Sequence, residues 1–284
     1  MKIKVLVFTL AFLLICGCTA GNKQTDIDDH TKPDMPGNEE ETVVIFTCPE
    51  LERIVREELF MPEGDILSTD MQMLYEIRIK EDNVKDLNGL EYATNLYSLS
   101  INKNDIESLE PISNINSLTY ITISYSEIEQ QPVHLGELPS LIRLSIIDSN
   151  ISEIDFLENF TALEELTLSS NYIENIDALS DLHNLRQVNL ARNNISSIEA
   201  LENKKSLEVL DLQSNNVSDI SVLASAERLY NLTLSYNPVY NLKPLENLAN
   251  LQELRIYLDH DVKHLIFDHV AILEGKGIEI AYHR

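Results

Sequence analysis

The stretch LEELTLSSNYIENIDAL (163–179) sets a pattern that recurs three more times along the chain. The later copies are LRQVNLARNNISSIEAL (185–201), LEVLDLQSNNVSDISVL (207–223) and LYNLTLSYNPVYNLKPL (229–245), each starting 22 residues after the one before. In all four copies, positions 1, 4, 6, 11, 14 and 17 are aliphatic and position 9 is asparagine. A fixed period of this length is typical of a solenoid of stacked coils, in which each coil buries its apolar face against its neighbours.

The order of polar and apolar residues within one unit predicts the shape of a coil. Positions 3 to 7 alternate, so positions 4 and 6 point to one side of the chain and positions 3, 5 and 7 to the other. This alternation indicates a short strand with one buried face, and stacked strands would form a parallel sheet. The asparagine that follows each strand can satisfy backbone groups at the turn, because its side chain both donates and accepts hydrogen bonds. These asparagines are Asn171, Asn193, Asn215 and Asn237.

The spacing L-x-x-L-x-L-x-x-N is the signature of leucine-rich repeats, and the 22-residue unit resembles the repeats of bacterial internalin-type surface proteins. The resemblance covers residues 43–284. It implies an α/β-type repeat solenoid, namely a leucine-rich-repeat horseshoe with a parallel concave β-sheet, a helical N-terminal cap and a C-terminal helix–strand cap. It also implies that a partner binds on the concave face, although a fold alone does not fix the partner.

The repeats extend on both sides of these four units. Nine units of about 22 residues are expected over residues 74–261. The third unit has 23 residues, with an irregular segment near 130–140, and the third and fourth units carry Ser126 and Ser149 in place of the asparagine. The earlier units and the last strand begin at Leu74, Leu96, Leu118, Leu141 and Leu251.

A solenoid exposes apolar core at both ends, so both ends need caps. Residues 43–73 are expected to form the N-terminal helical cap, because Pro49 suits a first helical turn and a second helix can start near Ser68. The apolar face of the first helix would consist of Leu51, Ile54, Val55 and Leu59. Residues 262–284 are expected to form the C-terminal cap, with a helix near 262–273 and a final strand over 278–281.

The first 17 residues resemble a lipoprotein signal peptide. Lys2 and Lys4 precede an apolar run over 5–15 that is too short to span a membrane. Gly17 supplies the small residue that a bacterial lipobox requires before the modified cysteine, so Cys18 is the predicted site of acylation, for example with palmitate. The alternative is an ordinary secreted protein. Either way the protein is expected to be exported, and acylation would anchor it to the cell membrane, facing outside the cytoplasm.

Residues 18–42 are polar and charged and contain two prolines, which predicts a disordered tether. The net charge of −26 argues against nucleic acid as a partner and against direct adsorption to an anionic membrane, so the membrane would be reached only through Cys18. Acylation of Cys18 would leave Cys48 without a partner for a disulfide, and Cys48 is expected to be a small buried side chain.

The candidate binding residues lie at unit positions 2, 3, 5, 7 and 8, which face outward on the concave sheet. Two apolar clusters are predicted there, and exposed aromatic groups with arginine are typical of protein interfaces. The alternative is simple cross-strand packing of bulky side chains. The first cluster contains Tyr120, Tyr125, Ile142 and Ile147, together with Arg143, and the second contains Tyr230, Tyr236 and Tyr257.

The sequence contains no recognised catalytic or nucleotide-binding motif, so no catalytic residue, cofactor or metal is predicted. A divalent metal held by His260, His264 and His269 is the alternative to a polar cap surface, but their spacing matches no specific motif. The function expected from the sequence is a monomeric, non-catalytic cell-surface protein that binds a protein partner. A structural envelope spacer and a glycan-binding protein are the alternatives.

Overall fold

The computed structural model describes residues 41–81, 83–131, 133–257 and 266–281, and the predicted signal peptide, Cys18 and the tether up to residue 40 lie outside them. Ten strands form one parallel sheet in strictly sequential order. Each of the first eight strands pairs with the equivalent residues of the next repeat, as Leu166 does with Val188. The strands are β1 (Glu76–Lys80), β2 (Ser98–Asn102), β3 (Tyr120–Ser124), β4 (Arg143–Ile147), β5 (Glu165–Thr167), β6 (Gln187–Asn189), β7 (Val209–Asp211), β8 (Asn231–Thr233), β9 (Glu253–Arg255) and β10 (Glu279–Ala281).

The predicted alternation within each strand is confirmed. Positions 4 and 6 are buried in every repeat, as Leu166 and Leu168 show, whereas positions 3, 5 and 7 are exposed or half-buried, apart from the small buried side chains of Ala191, Thr233 and Ser235. The aliphatic residues at positions 11, 14 and 17, such as Ile173, Ile176 and Leu179, are also buried and pack against the strand residues. One hydrophobic core therefore runs the length of the solenoid behind the sheet.

The asparagines at position 9 form a ladder of hydrogen bonds between neighbouring coils. Oδ1 of Asn193 accepts a hydrogen bond from the N–H of Ile173 in the preceding unit, at 3.1 Å. Its Nδ2 donates to the carbonyls of Leu168 and Leu190, both at 2.9 Å. Asn215 and Asn237 make the equivalent bonds. The side chain thus satisfies buried backbone groups of two coils at once, as the sequence predicts.

The serines that replace this asparagine make fewer bonds between coils. The hydroxyl of Ser126 donates to the Ser124 carbonyl of its own unit and accepts from the N–H of Asn104. The hydroxyl of Ser149 donates to the Ile147 carbonyl of its own unit. A hydroxyl has a single hydrogen to donate, so it cannot join the carbonyls of two coils. The ladder therefore has fewer side-chain hydrogen bonds in the third and fourth units.

A left-handed backbone conformation recurs at position 8 of the first eight units, where φ lies between 49° and 61°. None of these residues is glycine, although this conformation costs an L-residue about 1–2 kcal/mol. In every case the N–H at position 8 donates to the carbonyl at position 7 of the next unit, at 2.7–3.4 Å, so hydrogen bonding between coils offsets the strain. The residues are Glu81, Lys103, Tyr125, Asp148, Ser170, Arg192, Ser214 and Tyr236.

Short 3-10 turns return the chain across the side opposite the sheet, for example at Asp177–Leu179 and Glu199–Leu201. The irregular segment of the third unit has no such turn among its described residues, which exclude 132. Instead, Gly136 adopts φ +63° and lies so close to the second unit that a Cβ atom would be 2.1 Å from the carbonyl oxygen of Ser113. This glycine is what allows the 23-residue unit to stack.

Helices lie at both ends of the repeats. The predicted first helix is present as α1 (Pro49–Leu59), which packs against β1 with Leu51, Ile54 and Val55 buried, and the second as α2 (Ser68–Met71). The C-terminal helix is described as α3 (Phe267–Gly275), since 258–265 lie outside the described residues. Strand β10 pairs with β9 and extends the sheet after α3. Cys48 is buried, as predicted.

Candidate partner-binding surface

Five side chains from the first five strand regions form a connected row on the concave sheet, here called the Glu76–Glu165 row. The hydroxyl of Tyr97 donates to the carboxylate of Glu76. The ring of Tyr97 meets that of Tyr120 edge to face, with centroids 6.4 Å apart. The guanidinium carbon of Arg143 lies 5.6 Å from the centroid of Tyr120, and Arg143 also binds Glu165. The sheet register places Tyr120, Arg143 and Glu165 side by side at the starts of neighbouring strands, and Tyr97 directly precedes β2.

The contacts of Arg143 fix its position. Its guanidinium binds the carboxylate of Glu165 through two bonds, Nε to Oε2 at 2.6 Å and a terminal nitrogen to Oε1 at 2.7 Å. This hydrogen-bonded pairing with Glu165 raises the pKa of Arg143. The hydrogen bond to Glu76 likewise raises the pKa of the Tyr97 hydroxyl. A forked arginine–carboxylate pair restricts both side chains, so the tyrosine beneath the guanidinium is held in place as well.

A second set of ion pairs follows on the adjoining repeats. The guanidinium of Arg186 binds both carboxylate oxygens of Glu208, at 3.0 and 3.2 Å, and lies 3.5 Å from the carboxylate of Glu164. Arg255 pairs with Glu253 at 2.6 Å, and Glu253 also accepts a hydrogen bond from Asn231. Charges near the strand starts therefore mostly neutralise one another.

The first predicted cluster divides into two groups in the structure. Tyr120, Ile142 and Arg143 lie at the starts of their strand regions, whereas Tyr125 and Ile147 lie at the ends. Tyr125 lies five residues after Tyr120, which in extended chain corresponds to roughly 17 Å. The N–H of Tyr125 donates to the carbonyl of Ile147 at 2.9 Å. Tyr120, Tyr125 and Ile142 are exposed, and Ile147 is half-buried.

The second predicted cluster divides in the same way. The rings of Tyr236 and Tyr257 stack with centroids 4.7 Å apart. Tyr230 lies six residues before Tyr236, at the other end of β8, and is exposed. Each predicted cluster therefore contains residues that do lie on neighbouring repeats. Along the strands, however, its members lie at opposite ends and form two separate groups.

Tyr97 belongs to the row but is absent from the predicted clusters. The signal for it is present in the sequence, because position 2 holds an aromatic residue in the first two units, Tyr75 and Tyr97, and both are exposed. Tyr97, at position 2 of the second unit, directly precedes the strand. Its side chain reaches Tyr120, at position 3 of the next unit. That diagonal contact is what joins Tyr97 to Tyr120.

A shallow groove of about 270 Å³ lies on the sheet farther along the solenoid. It spans the fifth to ninth repeats, and side chains from position 5 of each of these repeats line it. Hydroxyl, amide and charged groups predominate, in contrast to the aromatic row in the first half of the sheet. The position 5 residues are Thr167, Asn189, Asp211, Thr233 and Arg255.

Among the described residues, no group of three or more histidine, cysteine or acidic side chains is arranged to hold a metal. His260 and His264 lie outside these residues, and His269 binds the carboxylate of Glu246 through Nδ1 at 2.8 Å. In the same part of the chain, none of the helices has the length and apolar character needed to span a membrane.

Comparison with known proteins agrees with this geometry. A family model for leucine-rich repeats, in two copies, matches residues 139–181 and 183–225. The fold is a leucine-rich-repeat horseshoe. This confirms the predicted fold class. A sequence comparison with curated proteins finds no match.

Several solved structures share this leucine-rich-repeat fold. Internalin C2 of Listeria monocytogenes is 24% identical, with a TM-score of 0.70 over 78% of this chain and 100% of that one. An internalin of the same organism, inlF, is 18% identical, with a TM-score of 0.51 over 84% of this chain and 92% of that one. A leucine-rich-repeat protein of Leptospira interrogans is 20% identical, with a TM-score of 0.58 over 68% and 56% of the two chains. This leucine-rich-repeat chain is therefore similar in fold to bacterial internalins.

Proposed function

We propose that this protein is exported, anchored to the cell membrane by acylation of Cys18, and binds a protein partner through the concave face of its leucine-rich-repeat sheet. It acts without catalysis, as an adhesion or interaction module. Similarity in fold to internalins supports a role in protein interaction, and the order of the n-region, apolar run and Gly17–Cys18 supports export and acylation.

The Glu76–Glu165 row is the observation that carries this proposal. Tyr97 and Tyr120 each leave 38% of their surface exposed while their contacts hold them in place. Tyrosine and arginine are over-represented among residues that dominate binding energy. Side chains that are already ordered lose less conformational entropy when a partner binds, which favours affinity. A structural spacer has no comparable need for ordered, exposed aromatic groups on one face.

The test is a binding screen with residues 19–284, since Glu40–Arg284 form one compact unit containing every element described above. The protein is screened against surface-protein and glycan panels. A variant with Tyr97→Ala, Tyr120→Ala and Arg143→Ala removes the exposed centre of the row. We expect it to lose about tenfold or more in affinity for a protein ligand, as is typical of central interface anchors.

A matched control changes the same residue types elsewhere: Tyr172→Ala, Tyr240→Ala and Arg228→Ala, all exposed and outside the sheet strands. This control should bind as the parent protein does. If both variants lose the same affinity, or if the row variant loses none, the Glu76–Glu165 row is not part of the binding site. Selective binding to glycans, with no protein ligand, would instead support the glycan-binding alternative.

A further inference from the structure

Asp211 lies in the groove on the fifth to ninth repeats, at the centre of its position 5 row. Its neighbour on β6 is Asn189, at the same position of the preceding repeat. The two side chains are close in size and differ in charge. Asn189 therefore shows what a neutral side chain does at the position that Asp211 occupies.

The structural role of the two side chains is the same. Oδ1 of Asn189 accepts a hydrogen bond from the N–H of Ala191 at 3.0 Å. Oδ1 of Asp211 accepts the equivalent bond from the N–H of Gln213 at 2.9 Å. A neutral amide therefore suffices to close the turn after the strand. The negative charge of Asp211 is not needed for this backbone contact.

The charge of Asp211 has no ion-pair partner within the described part of the chain. Two other charged residues line the groove, and each is already paired, Glu165 with Arg143 and Arg255 with Glu253. Burial raises the pKa of Asp211, although the Gln213 N–H and the charge of Arg255 act in the opposite direction. A half-buried carboxylate without an ion-pair partner is costly, and a cation from a partner that contacts it directly would relieve that cost.

From this geometry we propose that the groove binds a lysine or arginine side chain of the protein partner, with Asp211 as the carboxylate that pairs with it. The inference rests on the proposed function and specifies the chemistry of the partner. An amine or guanidinium on a flexible apolar stem fits a shallow polar groove that opens on the concave side. The net charge of −26 would favour the approach of a basic partner.

The test uses small probes, so it does not depend on knowing the partner. Nα-acetyl-arginine N-methylamide and its lysine counterpart are titrated into ¹⁵N-labelled residues 19–284 at low salt, and the amide signal of Gln213 is followed by NMR. We expect a saturable shift with a Kd of about 1 mM, typical of a single small contact. The glutamine analogue, which is neutral, should produce no shift.

The Asp211→Asn variant should abolish this shift and remain folded, because Asn189 shows that an amide preserves the backbone bond. Asp148→Asn is the matched control: it removes one charge from an exposed concave residue and should leave the shift unchanged. A shift that persists in Asp211→Asn, or no saturable shift in the parent protein, would overturn the inference.

The two proposals fail in different ways. If a protein ligand binds Asp211→Asn as tightly as the parent protein, the assignment of Asp211 is wrong and the binding function stands. If the probes bind at Asp211 but no protein ligand is found, the cation site stands and the proposed function is wrong. A tenfold or greater loss of ligand affinity in Asp211→Asn would support both.

Discussion

The ammonium group of Lys204 is buried in the solenoid and donates a hydrogen bond to the backbone carbonyl of Ser180, in the preceding repeat. Lys204 occupies position 20 of its unit, where the equivalent residues of the flanking units, Leu182 and Ala226, are apolar and buried. Burial lowers the pKa of Lys204, although the nearby charge of Asp181 partly opposes this effect. A lysine thus stands where both flanking units have a buried apolar residue.

Lys204→Met should stabilise the protein. The substitution keeps the length of the side chain and removes a charge whose desolvation is only partly offset by one carbonyl. Replacement of buried ionic groups by apolar ones of similar volume is neutral or stabilising by about 1–4 kcal/mol, and we expect the lower half of that range because the Ser180 carbonyl loses a donor. Chemical denaturation at pH 7 measures the change. A clear loss of stability would show that the lysine is a net stabilising element.

The advantage of Lys204→Met should shrink as pH rises from 7 towards the usual lysine pKa near 10.4. Because the pKa of Lys204 is lowered in the folded protein, the unfolded chain binds more protons between the two pKa values, and the stability of the parent protein rises with pH across that window. The variant lacks this contribution. A difference that stays constant over the window would contradict the lowered pKa.

Asn193→Ala should destabilise the protein strongly. It leaves the N–H of Ile173 without its side-chain acceptor inside the core. The carbonyls of Leu168 and Leu190 each lose one of two side-chain donors and keep the other, from Asn171 and Asn215 respectively. An unsatisfied buried group costs about 1–3 kcal/mol, so we expect a loss of about 2 kcal/mol or more in the free energy of unfolding.

Asn193→Ser is the informative control for this position. Ser126 and Ser149 show that a hydroxyl can bond the strand carbonyl of its own unit. The serine variant should therefore lose less stability than the alanine variant. If both variants lose the same amount, the hydroxyl bonds seen in the third and fourth units contribute nothing measurable.

Gly136→Ala should disturb the third repeat. A Cβ atom there would overlap the carbonyl oxygen of Ser113 at 2.1 Å, in addition to the strain of φ +63°. Gly64→Ala is the control, because Gly64 has φ +89° but no atom within 4 Å of the added carbon. The free energy of unfolding of the control should fall only by the cost of a left-handed backbone for alanine, about 1–2 kcal/mol. That of Gly136→Ala should fall clearly further. Equal losses would mean that the segment can move away from Ser113.

Cys18→Ser should release the protein from the membrane. The full chain is expressed in a bacterium, cells are fractionated, and the mass of the mature protein is measured. The parent protein should carry acyl chains and partition into the membrane fraction, and the variant should do neither. Cys16→Ser should behave as the parent protein, because Ile15 does not provide the small residue before the modified cysteine. Membrane retention by Cys18→Ser would disprove the assignment.

The strands, their register and the asparagine ladder could all be predicted from the sequence, because each depends on side chains that recur at a fixed spacing. Lys204 and the left-handed residues at position 8 could not. Position 20 is not part of the recognised pattern, and the types at position 8 carry no common turn signal. Their conformation is imposed by the carbonyl of the next coil, which is a property of stacking and not of the local sequence.

The candidate site was predictable in part for a similar reason. Tyr120 and Arg143 share position 3 of neighbouring units, and their contact occurs. Tyr236 and Tyr257 occupy positions 8 and 7 of neighbouring units and also make contact. The diagonal contact between Tyr97 and Tyr120 depends on side-chain directions at two different unit positions. The importance of Asp211 emerges only by comparison with the bonds of Asn189.

At position 8, along one edge of the sheet, the left-handed backbone conformation does not depend on the type of side chain. The hydrogen bond that maintains it uses only backbone atoms, so the side chain is free to vary, and acidic, basic, aromatic and hydroxyl residues all occur there. Substitutions along this edge can therefore accumulate without altering the coil. The protein possesses a line of interchangeable side chains at a fixed pitch of about 4.8 Å, on which a new binding specificity can evolve while the solenoid stays unchanged.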